Sequence, residues 1–275
     1  MTVKRSSTPS TVKMRERPGS GEQLIRRWQG ATTPRATVVL VHGYAEHSGR
    51  YEHVGGALAE AGFAVWTTDL RGHGRTSGER ASVARIEDLA DDVRVVLADA
   101  RAAAASLPVF VLGHSMGGLV ATSVALDPPF TLRGLILSGP AVGDPTGLDM
   151  ALAMEPFPEL SISSDGLSRD PEVIRDYDSD PLNYRGPFRR ETLQALAEGA
   201  RAVRARAAEI RLPLLVLHGG EDPIVPSLGS EELFSSVSSV DKQIEIYPGL
   251  RHEVLNEPEG AEIARTIALW IAARA

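Results

Sequence analysis

The chain of 275 residues contains no cysteine. That absence excludes a disulfide framework, a cysteine-ligated zinc site and a thiol nucleophile. Long hydrophobic runs are missing too. No uninterrupted apolar stretch approaches the roughly 20 residues of a membrane-crossing helix. Residues 1–30 carry Lys4, Arg5, Lys13, Arg15 and Arg17 but no apolar core, so they do not read as a secretory signal. An excess of positive charge is also lacking. With 29 basic and 36 acidic residues the net charge is −7, which argues against a nucleic-acid groove. These absences lead us to expect a soluble cytoplasmic protein, with reversible, peripheral contact at a membrane surface left open. A hydrophobic content of 43% suffices for a substantial core, in one large α/β domain or two small ones.

What is present alternates. Short apolar runs at 37–41, 63–68, 109–113, 134–138, 212–217 and 243–247 are separated by stretches of helical period. This alternation predicts a mostly parallel sheet with helices on both faces. Thr11 to Arg15 and Leu24 to Trp28 add two antiparallel starting strands around a Pro18-Gly19-Ser20-Gly21 turn, behind a loose tail at 1–10. Ile86, Leu89, Val93, Val96, Leu97 and Ala100 share one helical face, with Asp88, Asp91, Asp92 and Asp99 expected mostly elsewhere. Asn256-Glu257-Pro258-Glu259 reads as the capped start of a last helix whose apolar face includes Ile263, Ile267, Trp270 and Ile271.

The chemistry-bearing signal is Gly113-His114-Ser115-Met116-Gly117, directly after the apolar run Pro108 to Leu112. A Gly-x-Ser-x-Gly at a strand end is the pattern of a nucleophile elbow. Small residues two before and two after the serine are needed because the strand-to-helix turn leaves no room for side chains. The turn lifts Oγ above the sheet and aims the first N–H groups of the next helix at the reaction centre. In a chain with 26 glycines a chance match is the competing reading. An activated serine needs a base, and the base needs a carboxylate that fixes its tautomer. On an elbow of this kind they follow in the order acid, then histidine. The run 212–217 leads into His218-Gly219-Gly220-Glu221-Asp222-Pro223, and Ile244 to Tyr247 lead into Pro248-Gly249-Leu250-Arg251-His252-Glu253. Asp222 is therefore the candidate acid, with Glu221 competing, and His252 the candidate base. A lone Asp in a Gly/Pro loop is ordinarily a turn former; three coincidences in the required order outweigh that. The backbone N–H groups of Met116 and of Tyr44, after the strand at 37–41, are the candidate oxyanion hole. His42 is expected to be structural, because His252 already fills the base role.

One stretch breaks the alternation. About seventy residues separate the strand at 134–138 from the next, too many for an ordinary connection. Residues 141–205 are expected to form a cap (lid) over the site, inserted into a core built from 1–140 and 206–275. The Met/Leu stripe Leu148, Met150, Leu152, Met154, Phe157 and Leu160 is expected to be core first, and a substrate wall or a face for a lipid interface second.

Several segments together resemble the monoacylglycerol lipase family of the serine α/β-hydrolases, especially its bacterial members. They are His42-Gly43-Tyr44-Ala45-Glu46-His47-Ser48-Gly49-Arg50-Tyr51, Asp69-Leu70-Arg71-Gly72-His73-Gly74-Arg75-Thr76-Ser77-Gly78 and Gly113-His114-Ser115-Met116-Gly117-Gly118. Leu167-Ser168-Arg169-Asp170-Pro171, Asp180-Pro181-Leu182 and Tyr247-Pro248-Gly249-Leu250-Arg251-His252-Glu253 complete the resemblance, which spans about residues 15–275. The elbow alone is specific only to the superfamily; the Glu-His-Ser-Gly-Arg-Tyr run and the cap signature are far more specific.

The resemblance implies an α/β-hydrolase fold with a mostly parallel eight-stranded sheet and an inserted cap. It implies Ser115, Asp222 and His252 as the triad and the N–H groups of Tyr44 and Met116 as the hole. Arg71, His73, Glu46 and His47 are implied as loop braces. Tyr44 departs from the family, where a small residue is common; a backbone donor is unaffected, but the ring could narrow the entrance. The implied activity is hydrolysis of monoacylglycerols to glycerol and fatty acid through an acyl-enzyme on Ser115, without metal or organic cofactor. The acyl chain would lie in an apolar tunnel under the cap, the glycerol in a smaller polar recess, with transient membrane contact through the cap. Two alternatives stay open at this point. One is a broad carboxylesterase, lysophospholipase or thioesterase with the same triad; the other is a non-catalytic ligand-binding protein on a hydrolase fold. Oligomeric state and acyl-length preference are not written in these motifs.

Overall fold

Five strands are buried from end to end: β3 (Ala36–Val41), β4 (Phe63–Thr68), β5 (Val109–His114), β6 (Gly134–Ser138) and β7 (Leu214–Gly219). Continuous apolar runs of this kind belong to a parallel sheet covered on both faces. The computed structural model describes residues 8–17 and 21–275. The expected turn residues 18–20 and most of the expected tail lie outside the described residues. β1 (Thr11–Arg17), β2 (Gly21–Gln29) and β8 (Lys242–Tyr247) complete one eight-stranded sheet of order β1-β2-β4-β3-β5-β6-β7-β8. β1–β2 and β2–β4 are antiparallel and the remaining pairs parallel, as the alternation predicts.

Alternate residues of each strand serve opposite faces. Val39, Val41, Val111, Leu135, Leu137, Leu214 and Val216 join the core made with α2 (Ile86–Ala103) and α3 (Met116–Leu126). Val38, Leu40, Phe110, Leu112, Ile136, Leu215 and Leu217 face α1 (Glu52–Glu60) and the last helix. Two local expectations are corrected. Asp92 does not sit with the solvent face of α2: it is 1% exposed and its carboxylate receives Arg71 Nε, Nη2 and N at 3.1, 2.8 and 2.8 Å. The last helix starts at Gly260, not at Asn256. Asn256 N donates to Glu253 O in a turn, and Glu257 folds inward to accept Arg251 N at 2.7 Å and Arg169 Nε at 3.1 Å.

Between β6 and β7 the chain forms α4 (Thr146–Leu152), α5 (Pro171–Ser179) and α6 (Arg190–Arg206). α6 lies on α2 and α3 so closely that a Cβ on Gly199 would stand 2.4 Å from Ile86 of α2 and 3.3 Å from Leu119 of α3. The Met/Leu stripe does not behave as one core face. Leu148 packs on the core, whereas Met150 is 68% and Met154 54% exposed, and Leu160 is exposed as well. α7 (Leu228–Ser236) and α8 (Gly260–Ala272) follow β7 and β8, and α8 buries Ile263, Ile267, Trp270 and Ile271 as expected. Among the described residues no helix is long and apolar enough to cross a membrane.

Candidate active site

β5 ends at His114 and α3 begins at Met116, so Ser115 alone makes the turn, with φ 54° and ψ −122°. A non-glycine residue held at positive φ carries strain on the order of 1–3 kcal/mol and persists only where its surroundings enforce it. Here they do. A Cβ on Gly113 would stand 2.3 Å from Gly117 O, and one on Gly117 2.3 Å from the carbonyls of Val41 and His42. Ser115 N donates to Ser138 O at 3.0 Å, and its carbonyl accepts Gly118 N and Leu119 N.

The three side chains singled out in the sequence converge at the C-terminal ends of β5, β7 and β8. Ser115 Oγ lies 2.8 Å from His252 Nε2, and His252 Nδ1 lies 2.6 Å from Asp222 Oδ2. Asp222 Oδ1 accepts Ile224 N at 2.8 Å and Val225 N at 2.9 Å. Burial alone would raise the Asp222 carboxyl, but hydrogen bonds from His218 and His252 outweigh it and hold the group well below the usual carboxylate range. An ionised Asp222 accepts, so His252 carries its hydrogen on Nδ1 and leaves Nε2 free to accept from Ser115 Oγ. Glu221, the competing acid, is exposed and drops out. His114 lies beside His252 with ring centroids 4.7 Å apart. Burial, then the neighbouring His252, push it down to about 4, so it is neutral and donates from Nδ1 to Ser138 O.

The loop after β3 runs directly past the serine: a Cβ on Gly43 would be 3.2 Å from Ser115 Cβ. Tyr44 is the next residue, and Met116, first in α3, has an N–H with no acceptor inside its own helix. The loop is strongly braced. Glu46 Oε1 accepts Gly43 N at 2.6 Å and Tyr51 Oη at 2.7 Å, while Oε2 accepts Arg50 at 2.9 Å. Arg50 also donates twice to Glu253, the neighbour of His252. Burial works to raise Glu46, but Arg50 and then His114 hold it at about 2. His42 is a brace as expected, accepting Leu70 N at 2.9 Å and donating to Gly43 O at 2.7 Å. His47 accepts Gly49 N and meets Asp180 at 2.8 Å, and His73 donates to Arg71 O at 3.0 Å.

The Tyr44 ring turns to the segment between β6 and β7. It stacks on Phe188 at 4.5 Å and 13°, and its hydroxyl donates to Ala81 O at 3.2 Å. Tyr184 N donates to Ala45 O at 2.8 Å. A cavity of about 1140 Å³ opens on the far side of the Arg50 cluster, lined by His53, Asp180 and Asn256 among others, and touches neither Ser115 nor His252. Two features escape the sequence reading. One is the Glu46–Arg50–Glu253 cluster, whose members sit in the quoted motifs without a visible partner. The other is His218, four positions before Asp222, fully buried and bonded to it.

The chain is similar to known proteins over most of its length. The model of the family described as "Serine aminopeptidase, S33" matches residues 32–259. The chain is 38% identical over 253 residues to a protein named monoacylglycerol lipase from Mycolicibacterium smegmatis, covering 89% of this chain and 90% of that one. It is 31% identical over 288 residues to human monoglyceride lipase, covering 97% and 94%. Among solved structures, that of Paleococcus ferrophilus monoacylglycerol lipase superposes with a TM-score of 0.78 at 29% identity, over 91% of this chain and 99% of that one.

Proposed function

Because the chain belongs to the monoacylglycerol lipase family of the α/β-hydrolase superfamily, we propose that it hydrolyses monoacylglycerols to glycerol and fatty acid, with Ser115 as nucleophile. The observation that carries this reading is the unbroken chain of hydrogen bonds from Ser115 Oγ through His252 to Asp222, on a strained elbow that turns one hydroxyl onto the His252 ring.

The chemistry follows from the bonding pattern. His252 Nε2 takes the Ser115 proton as Oγ adds to the ester carbonyl. Asp222 stabilises the imidazolium without accepting its proton. The N–H groups of Tyr44 and Met116 receive the oxyanion. His252 then returns the proton to the departing glycerol oxygen, and water cleaves the acyl-enzyme by the same two transfers. No step calls for a metal or an organic cofactor.

Residues 141–205 act in this reading as a cap whose Tyr184 and Phe188 rest on the loop of the oxyanion hole. Its exposed Met150, Met154 and Leu160 are suited to transient contact with the membrane surface from which a one-chain lipid is drawn. We read the protein as a cytoplasmic enzyme working at that surface, in keeping with a chain free of cysteine.

The test is a chain-length series of monoacylglycerols beside di- and triacylglycerols, lysophospholipid and acyl-thioesters, run with wild type and Ser115→Ala. Glycerol release from monoacylglycerols in preference to the other esters, abolished by the substitution, is expected. Equal turnover of every small ester would retain the serine hydrolase and reject the lipase.

A further inference from the structure

Asp222 has a second imidazole on the oxygen that serves the base. His218, at the end of β7, is 0% exposed; its Nε2 lies 2.8 Å from Val225 O and 3.1 Å from Asp222 Oδ2. Its Nδ1 lies 2.7 Å from Ser230 Oγ. A carbonyl only accepts, so Nε2 carries the hydrogen and shares it between Val225 O and Asp222 Oδ2. Nδ1 is then bare and accepts the Ser230 hydroxyl, which fixes the tautomer from the other side. Ser230 is itself buried in the first turn of α7, next to Gly229, whose Cβ would stand 2.5 Å from Gly143 Cα. A line of hydrogen bonds therefore runs Ser115–His252–Asp222–His218–Ser230, from the elbow into a helix locked against the segment after β6.

We propose that His218 is a positioning residue for the hydrolytic reaction, acting through Asp222; the proposal rests on the reading in which His252 is the base. The two backbone donors on Oδ1 anchor one oxygen only and leave the carboxylate free to pivot about it. His218 anchors Oδ2 and so aims it at His252 Nδ1. It also draws part of the Oδ2 charge, which sets how strongly Asp222 favours the imidazolium over the neutral ring. The ionisable groups around this pair are His252 and Glu253 after β8, His114 at the end of β5, and Glu46 with Arg50 after β3. None of them bonds to Asp222 except His252.

The experiment uses the full chain with His218→Leu, His218→Asn and His218→Gln, active sites counted by a fluorophosphonate, and a soluble monoacylglycerol as substrate. Leu removes the donor. Asn keeps a polar group but is too short to reach Asp222, and it carries the test should the Leu variant not fold. Gln can still donate. Leu and Asn are expected to lower kcat per active site by about tenfold or more while KM stays within about threefold. With all of the Oδ2 charge then facing His252, the acid limb of the kcat/KM profile is expected at higher pH. Gln is expected to recover most of both. A fall in melting temperature with kcat per active site and the acid limb unchanged would overturn the proposal and leave His218 purely structural. If wild type itself fails to hydrolyse any ester, it is the functional reading that fails.

Discussion

Arg50 and Glu253, 203 positions apart in the chain, meet in a two-pronged pair at 2.5 and 2.8 Å beneath the site. Glu46 accepts from the same guanidinium and from Gly43 N, one residue before Tyr44, the proposed donor. One buried cation thereby ties the loop of the proposed oxyanion hole to the loop of the proposed base. Both carboxylates are buried, and burial favours their neutral forms; Arg50 outweighs it and holds Glu253, like Glu46, below the usual range.

Removing that cation is expected to be costly. Arg50→Met leaves two buried carboxylates facing each other without the cation that neutralises them, a change of roughly 3–5 kcal/mol. Arg50→Lys, which keeps the charge but loses the fork, is expected to cost less. Urea denaturation at neutral pH measures both; equal midpoints for Arg50→Met and wild type would contradict the role given to the cluster.

Tyr44 separates backbone from side chain. Its N–H is the proposed donor, while its ring serves the Phe188 stack and the Ala81 bond. Tyr44→Ala is expected to destabilise by about 2–4 kcal/mol. Turnover of short esters is expected to stay within about tenfold, because the backbone donor remains. Abolished turnover in a folded Tyr44→Ala protein would mean that the ring itself takes part.

The glycines of the elbow and of the segment after β6 give a contrast within one experiment. Gly117→Ala places a methyl 2.3 Å from two carbonyls of the β3 end and is expected to prevent assembly of the elbow. Gly147→Ala, in α4 with nothing within 4 Å of the added carbon, is expected to be neutral or to stabilise by up to about 1 kcal/mol. Soluble yield and melting temperature report both.

Acid sensitivity follows from buried histidines. Burial, then the neighbouring His42, hold His73 at about 3; burial and His252 hold His114 at about 4. In the unfolded chain both titrate near 6.5. Between these values the unfolded chain binds protons that the folded one refuses, so stability falls as pH falls from about 6.5. Glu46, held at about 2, extends the loss below about 4.5. Urea midpoints from pH 8 to 4 are expected to be level above 7 and to decline below 6.5. A constant midpoint from pH 7 to 5 would contradict this.

Much of the fold was legible because a doubly covered parallel sheet writes itself as continuous apolar runs. Strand ends shifted where local chemistry intervened: β7 begins at Leu214, after Pro213, which has no N–H for a ladder. Ser115, Asp222 and His252 were legible because glycines and strand ends announce them. The burial of Asp92 and Glu257 is not legible, because residue type says nothing about a partner such as Arg71 or Arg169, brought in by tertiary folding. The packing of α6 on α3 and the bond from His218 to Asp222 depend on the same long-range placement.

The most direct measurement is mass spectrometry of the protein after incubation with a fluorophosphonate, run beside glycerol release from a monoacylglycerol. One equivalent of label on Ser115, with labelling and glycerol release both absent in Ser115→Ala, is the expected result. Label on another residue, or glycerol release that survives Ser115→Ala, would contradict the assignment of the nucleophile and the mechanism built on it.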